Sequence, residues 1–215
     1  MNSNSCVIIV GVPCSGEQLL GKALLALGYT AEGTPTDESK EWTVLAINHR
    51  ICDMPQKPKI DLSMAKYAHE AIDKYIQEKL QIGRPWIIND PMMCMTVTEY
   101  VPFLKKYSVD YKIIVTMRQL HHSTLDMLKA DKGWKLEEAA GLIGRYAVAR
   151  SLSIERLVVT DKDNQDRIIY VAANDLIDKT EEEVDSIIKL LKLEVSPENR
   201  QKAIDVLQPF AESQK

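Results

Sequence analysis

A hydrophobic run at residues 6–12, CVIIVGV, leads through a glycine-bounded turn into an amphipathic helix, and this unit constrains the fold most strongly. The run is rich in β-branched residues, which is typical of a strand that is buried on both faces of a parallel sheet. The next segment, EQLLGKALLALGY, places leucines and alanines on one helical face, and Gly28 supplies a C-terminal stop. The pattern predicts a βα unit.

Strands alternate with helices along the rest of the chain. We predict further strands at 43–49, 85–89, 111–117 and 167–173, and helices at 61–82, 96–107, 121–131, 134–157, 181–193 and 197–210. Residues 30–40 and the segment leading through Lys59 are predicted as loops. Because repeated βαβ units form a parallel sheet with helices on both faces, we expect one α/β domain over residues 1–215.

Charge and composition exclude several classes of function. The formal net charge is −4, whereas nucleic-acid binding normally requires a basic surface, so we expect no nucleic-acid partner. No apolar stretch approaches the length of a membrane span, and the N-terminus lacks the features of a signal peptide. The four cysteines have no CxxC spacing, which disfavours a disulfide framework or a metal site. We therefore expect a cytoplasmic protein with no membrane partner.

The turn between Gly11 and Gly16 is a candidate anion-binding site. A turn that joins a strand to a helix presents free backbone N–H groups, and the helix dipole adds partial positive charge. The glycine spacing matches the start of the nucleotide-binding pattern G-x-x-x-x-G-K-[ST], but Glu17 and Gln18 stand where that pattern has a lysine and a hydroxyl residue. A second frame that starts at Gly16 would put core leucines in the loop, so we reject it. A tight turn that binds nothing is the alternative.

Three stretches together resemble the sulfotransferase family, specifically its short bacterial branch. The turn, GVPCSGEQ at residues 11–18, resembles the family loop G-x-P-R-S-G-T-[ST]. The stretch NDPM at 89–92 is similar to the family's K-D-P-R, and Arg118 ends a strand before a helix, as in a third family motif. The order and spacing of these stretches cover roughly the whole chain. They imply a three-layer P-loop NTPase-like (sulfotransferase-like) fold, with a central, mainly parallel sheet flanked by helices.

The resemblance also implies an activity, which is transfer of a sulfuryl group from the nucleotide PAPS to a hydroxyl or amine. In the family, the turn holds the 5′-phosphosulfate, and the arginine and a serine of the next helix hold the 3′-phosphate. By resemblance, PAPS or its product PAP is bound by Pro13, Cys14, Ser15, Gly16, Glu17, Gln18 and Arg118. Ser123 or Thr124 takes the place of the family serine only if the helix starts differently. No metal is required, because backbone dipoles and basic side chains stabilise the transferring group. The acceptor, a small molecule or a glycan, and the oligomeric state are not defined by these residues.

Several positions depart from the family pattern. Cys14 replaces the basic residue of the turn, and Asn89 and Met92 replace the two basic residues of the second stretch. Glu17 stands at the family threonine, and Asp126 stands at the family serine, eight residues past the arginine. One charge-assisted hydrogen bond is worth about 1.5–3 kcal/mol, so the loss of three weakens PAPS binding by orders of magnitude. The candidates for compensating cations are Arg50, Arg84, His121 and His122.

Two further residues are candidates for chemistry. His49 follows the second predicted strand at its carboxyl end, where open α/β sheets place ligands, so it is a candidate general base toward an acceptor hydroxyl. A surface or capping role is the alternative for His49. Cys14 lies at a helix N-terminus, which generally lowers a thiol pKa. A phosphatase-like cysteine would have an arginine shortly after it in the same loop, and this loop has none, so we expect no covalent role.

Three functions remain open from the sequence. The first is PAPS-dependent sulfuryl transfer. The second is a catalytically degenerate protein of the same fold that binds a nucleotide, another anion or a partner. The third is a P-loop small-molecule kinase, which the residues after Gly16 disfavour because a lysine and a magnesium-binding hydroxyl are missing.

Overall fold

The computed structural model describes residues 4–31, 47–48, 52–53, 59–60, 65–131 and 133–213. Its elements, in chain order, are β1 (Ser5–Val10), α1 (Glu17–Ala26), β2 (Cys52–Asp53), β3 (Lys59–Ile60), α2 (Ala65–Ile82), β4 (Trp86–Asn89), α3 (Met93–Lys106), β5 (Asp110–Met117), α4 (Leu120–Ala130), α5 (Leu136–Thr160), a 3-10 helix (Lys162–Arg167), β6 (Ile168–Ala172), α6 (Ala173–Asp178), α7 (Thr180–Leu190) and α8 (Pro197–Ser213).

Four parallel strands form the central sheet, in the order β4-β1-β5-β6. Cys6 of β1 lies beside Trp86 of β4 on one side and Tyr111 of β5 on the other. Because the four strands run in the same direction, their carboxyl ends meet at one edge, which we call the carboxyl edge. β2 and β3 pair with each other in a separate antiparallel ladder. The prediction of a loop through Lys59 is therefore wrong at these two short strands.

Helices cover both faces of the sheet because side chains alternate between the faces of a buried strand. On β1, Cys6, Ile8 and Val10 pack in one core with α2, α3 and α5. Val7 and Ile9 pack in a second core with α1, α6, α7 and α8. The fold is thus a three-layer α/β arrangement around a parallel sheet, as the sequence predicts.

Most of the predicted elements occur, with differences of a few residues at their ends. β1, β4, β5 and β6 match the predicted strands, and α1 to α5, α7 and α8 match the predicted helices. Gly28 follows α1 with a φ of 106°, a conformation that glycine adopts without a Cβ penalty. Within the described ranges, no helix has both the length and the hydropathy that a membrane span requires.

The structure describes two residues of the predicted strand at 43–49, and the prediction is wrong at both. Ile47 and Asn48 are helical, and both are fully buried. The side-chain amide of Asn48 donates to Asp90 at 2.9 Å and accepts from the Tyr100 hydroxyl at 3.1 Å. A short apolar run does not by itself distinguish a strand from a buried helical segment, and here side-chain hydrogen bonds satisfy the polar member of the run.

Candidate functional site

The turn after β1 lies at the carboxyl edge and has an unusual backbone. Cys14 and Gly16 have φ values of 63° and 95°, which are in the left-handed region, and the Ser15 N–H donates to the Val12 carbonyl at 2.9 Å. The left-handed conformation costs a non-glycine residue about 1–2 kcal/mol, so the fold holds Cys14 in a strained geometry. α1 begins at Glu17, directly after this turn. The turn therefore presents its N–H groups at a helix N-terminus.

Gly11 is required by close packing beneath the turn. A Cβ at this position would lie 2.3 Å from the Thr116 hydroxyl oxygen and 2.6 Å from the Ser15 hydroxyl oxygen. Those two hydroxyls are hydrogen-bonded to each other at 2.7 Å, and both residues are buried. The hydrogen bond between Thr116 and Ser15 thus joins the end of β5 to the turn, and only glycine at position 11 leaves room for it.

The side chain of Glu17 folds back into the turn. Its Oε1 accepts from the Cys14 N–H at 3.2 Å, and its Oε2 accepts from the Ser15 N–H at 2.9 Å. The Ser15 hydroxyl also lies within hydrogen-bond distance of Oε2, at 3.4 Å, and Glu17 is only 4% exposed. Backbone N–H groups at a helix N-terminus are the groups that hold phosphate or sulfate in proteins. The turn holds an acidic group, and that group belongs to the chain itself.

The pKa values around the turn reflect its burial. Burial raises the pKa of the Glu17 carboxyl, while the hydrogen bonds from the backbone and from Ser15 act in the opposite direction. The pKa of the Cys14 thiol is also raised, first by burial and then by the negative charges of Glu17 and Asp126. A reactive cysteine needs a lowered pKa, so this environment disfavours the Cys14 thiolate.

Arg118 reaches the turn from the carboxyl end of β5. Its Nη1 donates to the Cys14 carbonyl at 3.0 Å and to Asp126 Oδ2 at 2.5 Å. The side chain is 11% exposed, and its Nε is buried without a partner among the described residues. Asp126 also pairs with Lys129, at 3.3 Å. Arg118 therefore lies directly against the turn, and a carboxylate of α4 compensates its charge.

Ser123 is fully buried at the same junction. Its hydroxyl donates to the Cys14 carbonyl at 3.3 Å, so this carbonyl accepts from both Arg118 and Ser123. The Ser123 contact joins the first turn of α4 to the residue 11–18 turn, and the Arg118 contact joins the end of β5 to it.

The segment after β4 contributes structural bonds. Asp90 Oδ1 accepts from the Met92 N–H at 2.8 Å and from the Asn48 amide at 2.9 Å, and Asp90 is buried. Met92 is 5% exposed and packs in the first core. Asn89 donates to the Glu17 carbonyl at 3.2 Å. Where the family resemblance expects two cations, this segment has an amide that braces α1 and an apolar side chain in the core.

A cleft lies beside the turn, between α1, α4 and α6. It consists of two adjoining cavities of about 390 and 230 Å³, both lined by Arg118, Asp126 and Ile177. The first is also lined by Cys14, Gly16, Glu17, Gln18, Leu19, Lys22 and Ala130, and the second by His122, Leu125, Lys129, Asn174 and Asp178. Three cations, Lys22, Arg118 and Lys129, thus face three acids, Glu17, Asp126 and Asp178, so the charged lining is balanced. A cavity of about 430 Å³ at the opposite edge is lined by none of the predicted site residues.

The structure brings most of the predicted binding residues together at this cleft. Cys14, Gly16, Glu17, Gln18 and Arg118 line it. Ser15 is buried beneath the turn, and Pro13 is half-buried within it. The predicted base, His49, and the proposed cation Arg50 lie outside the described residues.

The other proposed compensating cations differ in position. Arg84 precedes β4 and so lies toward the opposite edge of the sheet, which rules it out as a partner for the turn. His122 lines the cleft, whereas the neighbouring His121 is exposed and does not line it. Their rings contact each other with centroids 4.1 Å apart. At most one of the pair faces the cleft, as adjacent positions on a helix require.

Several residues of the site were missed by sequence reasoning. Thr116 had a detectable signal, because it is a hydroxyl residue near the carboxyl end of a buried strand. Lys22 follows Gln18 by one helical turn, so it shares the cleft-facing side of α1. Asn174 and Asp178 are likewise one turn apart on α6, but no sequence pattern indicated that this short helix reaches the cleft.

Of the comparisons with known proteins, only the one with solved structures identifies a fold. No protein-family model matches the chain, and no curated protein matches it by sequence. Among solved structures, the sulfotransferase domain of the Synechococcus PCC 7002 olefin synthase has a TM-score of 0.56 at 16% identity, over 100% of this chain and 84% of that one. Sulfotransferase STF1 from Mycobacterium tuberculosis H37Rv has a TM-score of 0.58 at 14% identity, over 93% of this chain and 70% of that one. Sulfotransferase STF9 from Mycobacterium avium has a TM-score of 0.56 at 12% identity, over 95% and 68%.

TM-scores of 0.56–0.58 establish the architecture, whereas identities of only 12–16% say nothing about the chemistry, which depends on the residues of the site. This protein therefore has the sulfotransferase fold, in a divergent form.

Proposed function

We propose that this protein binds a PAPS-type nucleotide in the cleft at the carboxyl edge and transfers its sulfuryl group to a hydroxyl or amine acceptor. The observation that carries the proposal is the contact of Arg118 with the turn. The guanidinium of Arg118, at the end of β5, donates to the Cys14 carbonyl, and the Cys14 N–H lies in the turn just before α1. Both groups lie beside a cleft large enough for a small ligand. Two separate anion-binding elements on one cleft suit a donor with phosphate groups at both ends.

Two features of the site suit such a donor, the N–H groups of the turn and the guanidinium of Arg118. The N–H groups of Cys14 and Ser15 already hold a carboxyl group, so their geometry suits an oxyanion. Arg118 Nε is buried without a partner among the residues described, so it has a donor to offer to a ligand. The Cys14–Gln18 turn would hold the phosphosulfate end, and Arg118 with the first turn of α4 would hold the other phosphate.

The chain's own residues would contribute positioning and electrostatics to the reaction. When bound, PAPS supplies an activated sulfuryl group for in-line displacement. The N-terminus of α1 and the turn N–H groups would stabilise negative charge that develops as the donor bond breaks. Arg118 would orient the nucleotide, and Ser123 would keep the Cys14 carbonyl engaged so that the turn keeps its shape.

We propose that His49, or an acidic residue of the cleft, is the general base toward the acceptor. Asn48, the residue before His49, is hydrogen-bonded to Asp90, which follows β4, and to Tyr100 of α3. A neutral imidazole could remove the proton of an acceptor hydroxyl as the oxygen attacks sulfur. The acceptor is proposed to be a small molecule or a glycan. A cytoplasmic location is part of the same proposal, since Cys6, Cys14 and Cys94 are free thiols.

The first test is ligand binding. Wild-type protein is examined by thermal shift and calorimetry with PAP, PAPS, inorganic sulfate, GTP, and ATP with and without magnesium. We expect PAP to stabilise the protein and Arg118→Ala to lose at least tenfold in PAP affinity, because one charge-assisted hydrogen bond is worth about 1.5–3 kcal/mol. Arg145→Ala, which removes an exposed arginine of α5, is the matched control and keeps wild-type affinity.

The outcomes separate the candidate functions. PAP binding that is lost only in Arg118→Ala, together with sulfuryl transfer from PAPS to an acceptor panel, supports the proposal. Stabilisation that requires ATP and magnesium would point to a kinase. Failure of the protein to bind PAP or PAPS at millimolar concentration would overturn the proposed activity.

A second candidate is a catalytically degenerate protein of the same fold, and a specific observation favours it. Met92 is buried in the core, and Asp90 accepts hydrogen bonds from Met92 and Asn48. The segment that would carry two cations by resemblance to the family therefore has a structural role in this protein. Two results together would favour this second function. The wild-type protein would bind PAP without turning over PAPS, and the His49→Ala variant would bind PAP as well as the wild type does.

A further inference from the structure

Both anion-binding elements of the cleft are occupied by carboxyl groups of the chain itself. Glu17 accepts from the N–H groups of Cys14 and Ser15 through its two oxygens, so its carboxyl group occupies both of these donors. Glu17 is buried in this position. An external oxyanion that used the same two donors would have to displace this side chain.

Asp126 has the corresponding position at the second element. Its Oδ2 lies 2.5 Å from Arg118 Nη1, and its Oδ1 lies 3.3 Å from Lys129 Nζ. Asp126 lines both cavities of the cleft. It therefore neutralises the two cations nearest to it, where a phosphate group would otherwise be attracted.

We propose that the cleft is self-ligated: Glu17 and Asp126 are internal substitutes for the two phosphate ends of a nucleotide, and they compete with an external anion and weaken its binding until both side chains are displaced. This inference rests on the proposed function, because it concerns the same cleft, and it adds a mechanism of regulation. The cleft has two anion-binding elements, and carboxyl groups of the chain itself occupy both. Any partner or condition that withdraws the two carboxylates opens it.

The two internal acids act on a ligand in two ways. Each occupies hydrogen-bond donors that the ligand needs, and each repels a like charge at short range in a partly buried site, where screening by water is weak. The effects add because the two acids act at separate elements, the turn and α4. Removing both is therefore expected to raise the affinity for a doubly phosphorylated ligand far more than removing either.

The test converts the two positions to short neutral hydroxyl residues. Affinity for PAP is measured by calorimetry at fixed low salt for wild type, Glu17→Thr, Asp126→Ser and the double variant. We expect each single variant to bind PAP at least tenfold more tightly than wild type, and the double variant at least a hundredfold more tightly. A gain of threefold or less in the double variant would overturn self-ligation.

Two control variants separate loss of self-ligation from a general change of charge. Asp178→Ser removes an acid that lines the same cleft but makes no ion pair with Arg118, so its gain is expected to be smaller than that of Asp126→Ser. Glu70→Thr removes an exposed acid of α2 and is expected to leave PAP affinity unchanged. Equal gains from Asp126→Ser and Asp178→Ser would show a charge effect only and would overturn the proposal for Asp126.

A measurement on wild-type protein keeps the proposal testable if a variant does not fold. The amide resonances of Cys14 and Ser15 are followed by NMR as the pH is lowered. They are expected to shift together with protonation of the Glu17 carboxyl, and this shift is expected to be absent in Glu17→Gln. Amide resonances that do not respond to Glu17 would overturn its role in the turn.

The two proposals can fail separately. Tight, Arg118-dependent PAP binding by wild type, with no gain in the double variant, would overturn self-ligation and leave the proposed function standing. A large gain in the double variant, without sulfuryl transfer by either protein, would support self-ligation and overturn the proposed activity.

Discussion

The residue 11–18 turn and the residue 89–92 segment both lie at the carboxyl edge of the sheet, but their residues do different work. In the turn, the N–H groups of Cys14 and Ser15 hold the Glu17 carboxyl group, and Gly11 and Gly16 allow the close packing and the left-handed backbone that this arrangement needs. In the 89–92 segment, Met92 is buried and Asp90 is engaged in structural bonds. One region holds an acidic group with backbone N–H groups, and the other is part of the core.

The difference follows from which atoms do the binding. A turn binds anions through backbone N–H groups, which every residue except proline supplies, so substitution of side chains does not remove them. A segment that binds through basic side chains loses its function as soon as those side chains change. An apolar residue such as Met92 then gains stability by burial and commits the segment to packing.

The largest expected effect on stability comes from placing a cation at the buried position of the residue 89–92 segment. Met92→Arg would bury a charge without a partner, and we expect a loss of about 3–5 kcal/mol in the free energy of unfolding. Asn89→Lys is the matched substitution at an exposed position of the same segment, and we expect a loss of about 1 kcal/mol or less. Urea denaturation measures both. Equal stability of the two variants would show that the two positions are not in different environments.

An intermediate effect is expected from filling the space at the turn. Gly11→Ala would bring a methyl group against the Thr116 and Ser15 hydroxyls, so we expect a loss of about 1–3 kcal/mol in stability. Gly144→Ala, in the middle of α5 with no atom within 4 Å of the added group, is expected to stabilise the protein by about 0.5–1 kcal/mol. Thermal denaturation of the pair tests the packing. A Gly11→Ala variant as stable as Gly144→Ala would contradict it.

The smallest expected effect is on the pH dependence of stability. Burial raises the Glu17 pKa above its usual value of 4.5, so the native state binds this proton more tightly than the unfolded state does. The stability of wild type relative to Glu17→Gln is therefore greatest below pH 4.5 and falls as the pH rises through the folded-state pKa. Urea denaturation of both proteins from pH 4 to pH 8 measures the difference. A difference that increases with pH would contradict a raised pKa.

Sequence reasoning located the elements around the turn better than it described the contacts between them. It placed the turn, Arg118 and a parallel sheet correctly, because β-branched runs, helical periodicity and glycine spacing are local signals. It assigned Ile47 and Asn48 to a strand, since the hydrogen bonds that bury Asn48 come from residues distant in the chain. It identified Glu17 as a departure from the family pattern, but could not show that the side chain turns back to accept the N–H groups of its own turn.

By itself, the sequence determined that this protein folds around a parallel sheet and that a glycine-bounded turn joins its first strand to a helix at the carboxyl edge. These properties follow from the order of hydrophobic runs and from glycine, whose effects act within a few residues. The tertiary structure decided that Glu17 closes the turn and that Asp126 takes the charge of Arg118. It also decided that Met92 belongs to the core. Such contacts depend on how β4, β5 and α4 are packed around the turn, and charge pairing and burial are set by that packing.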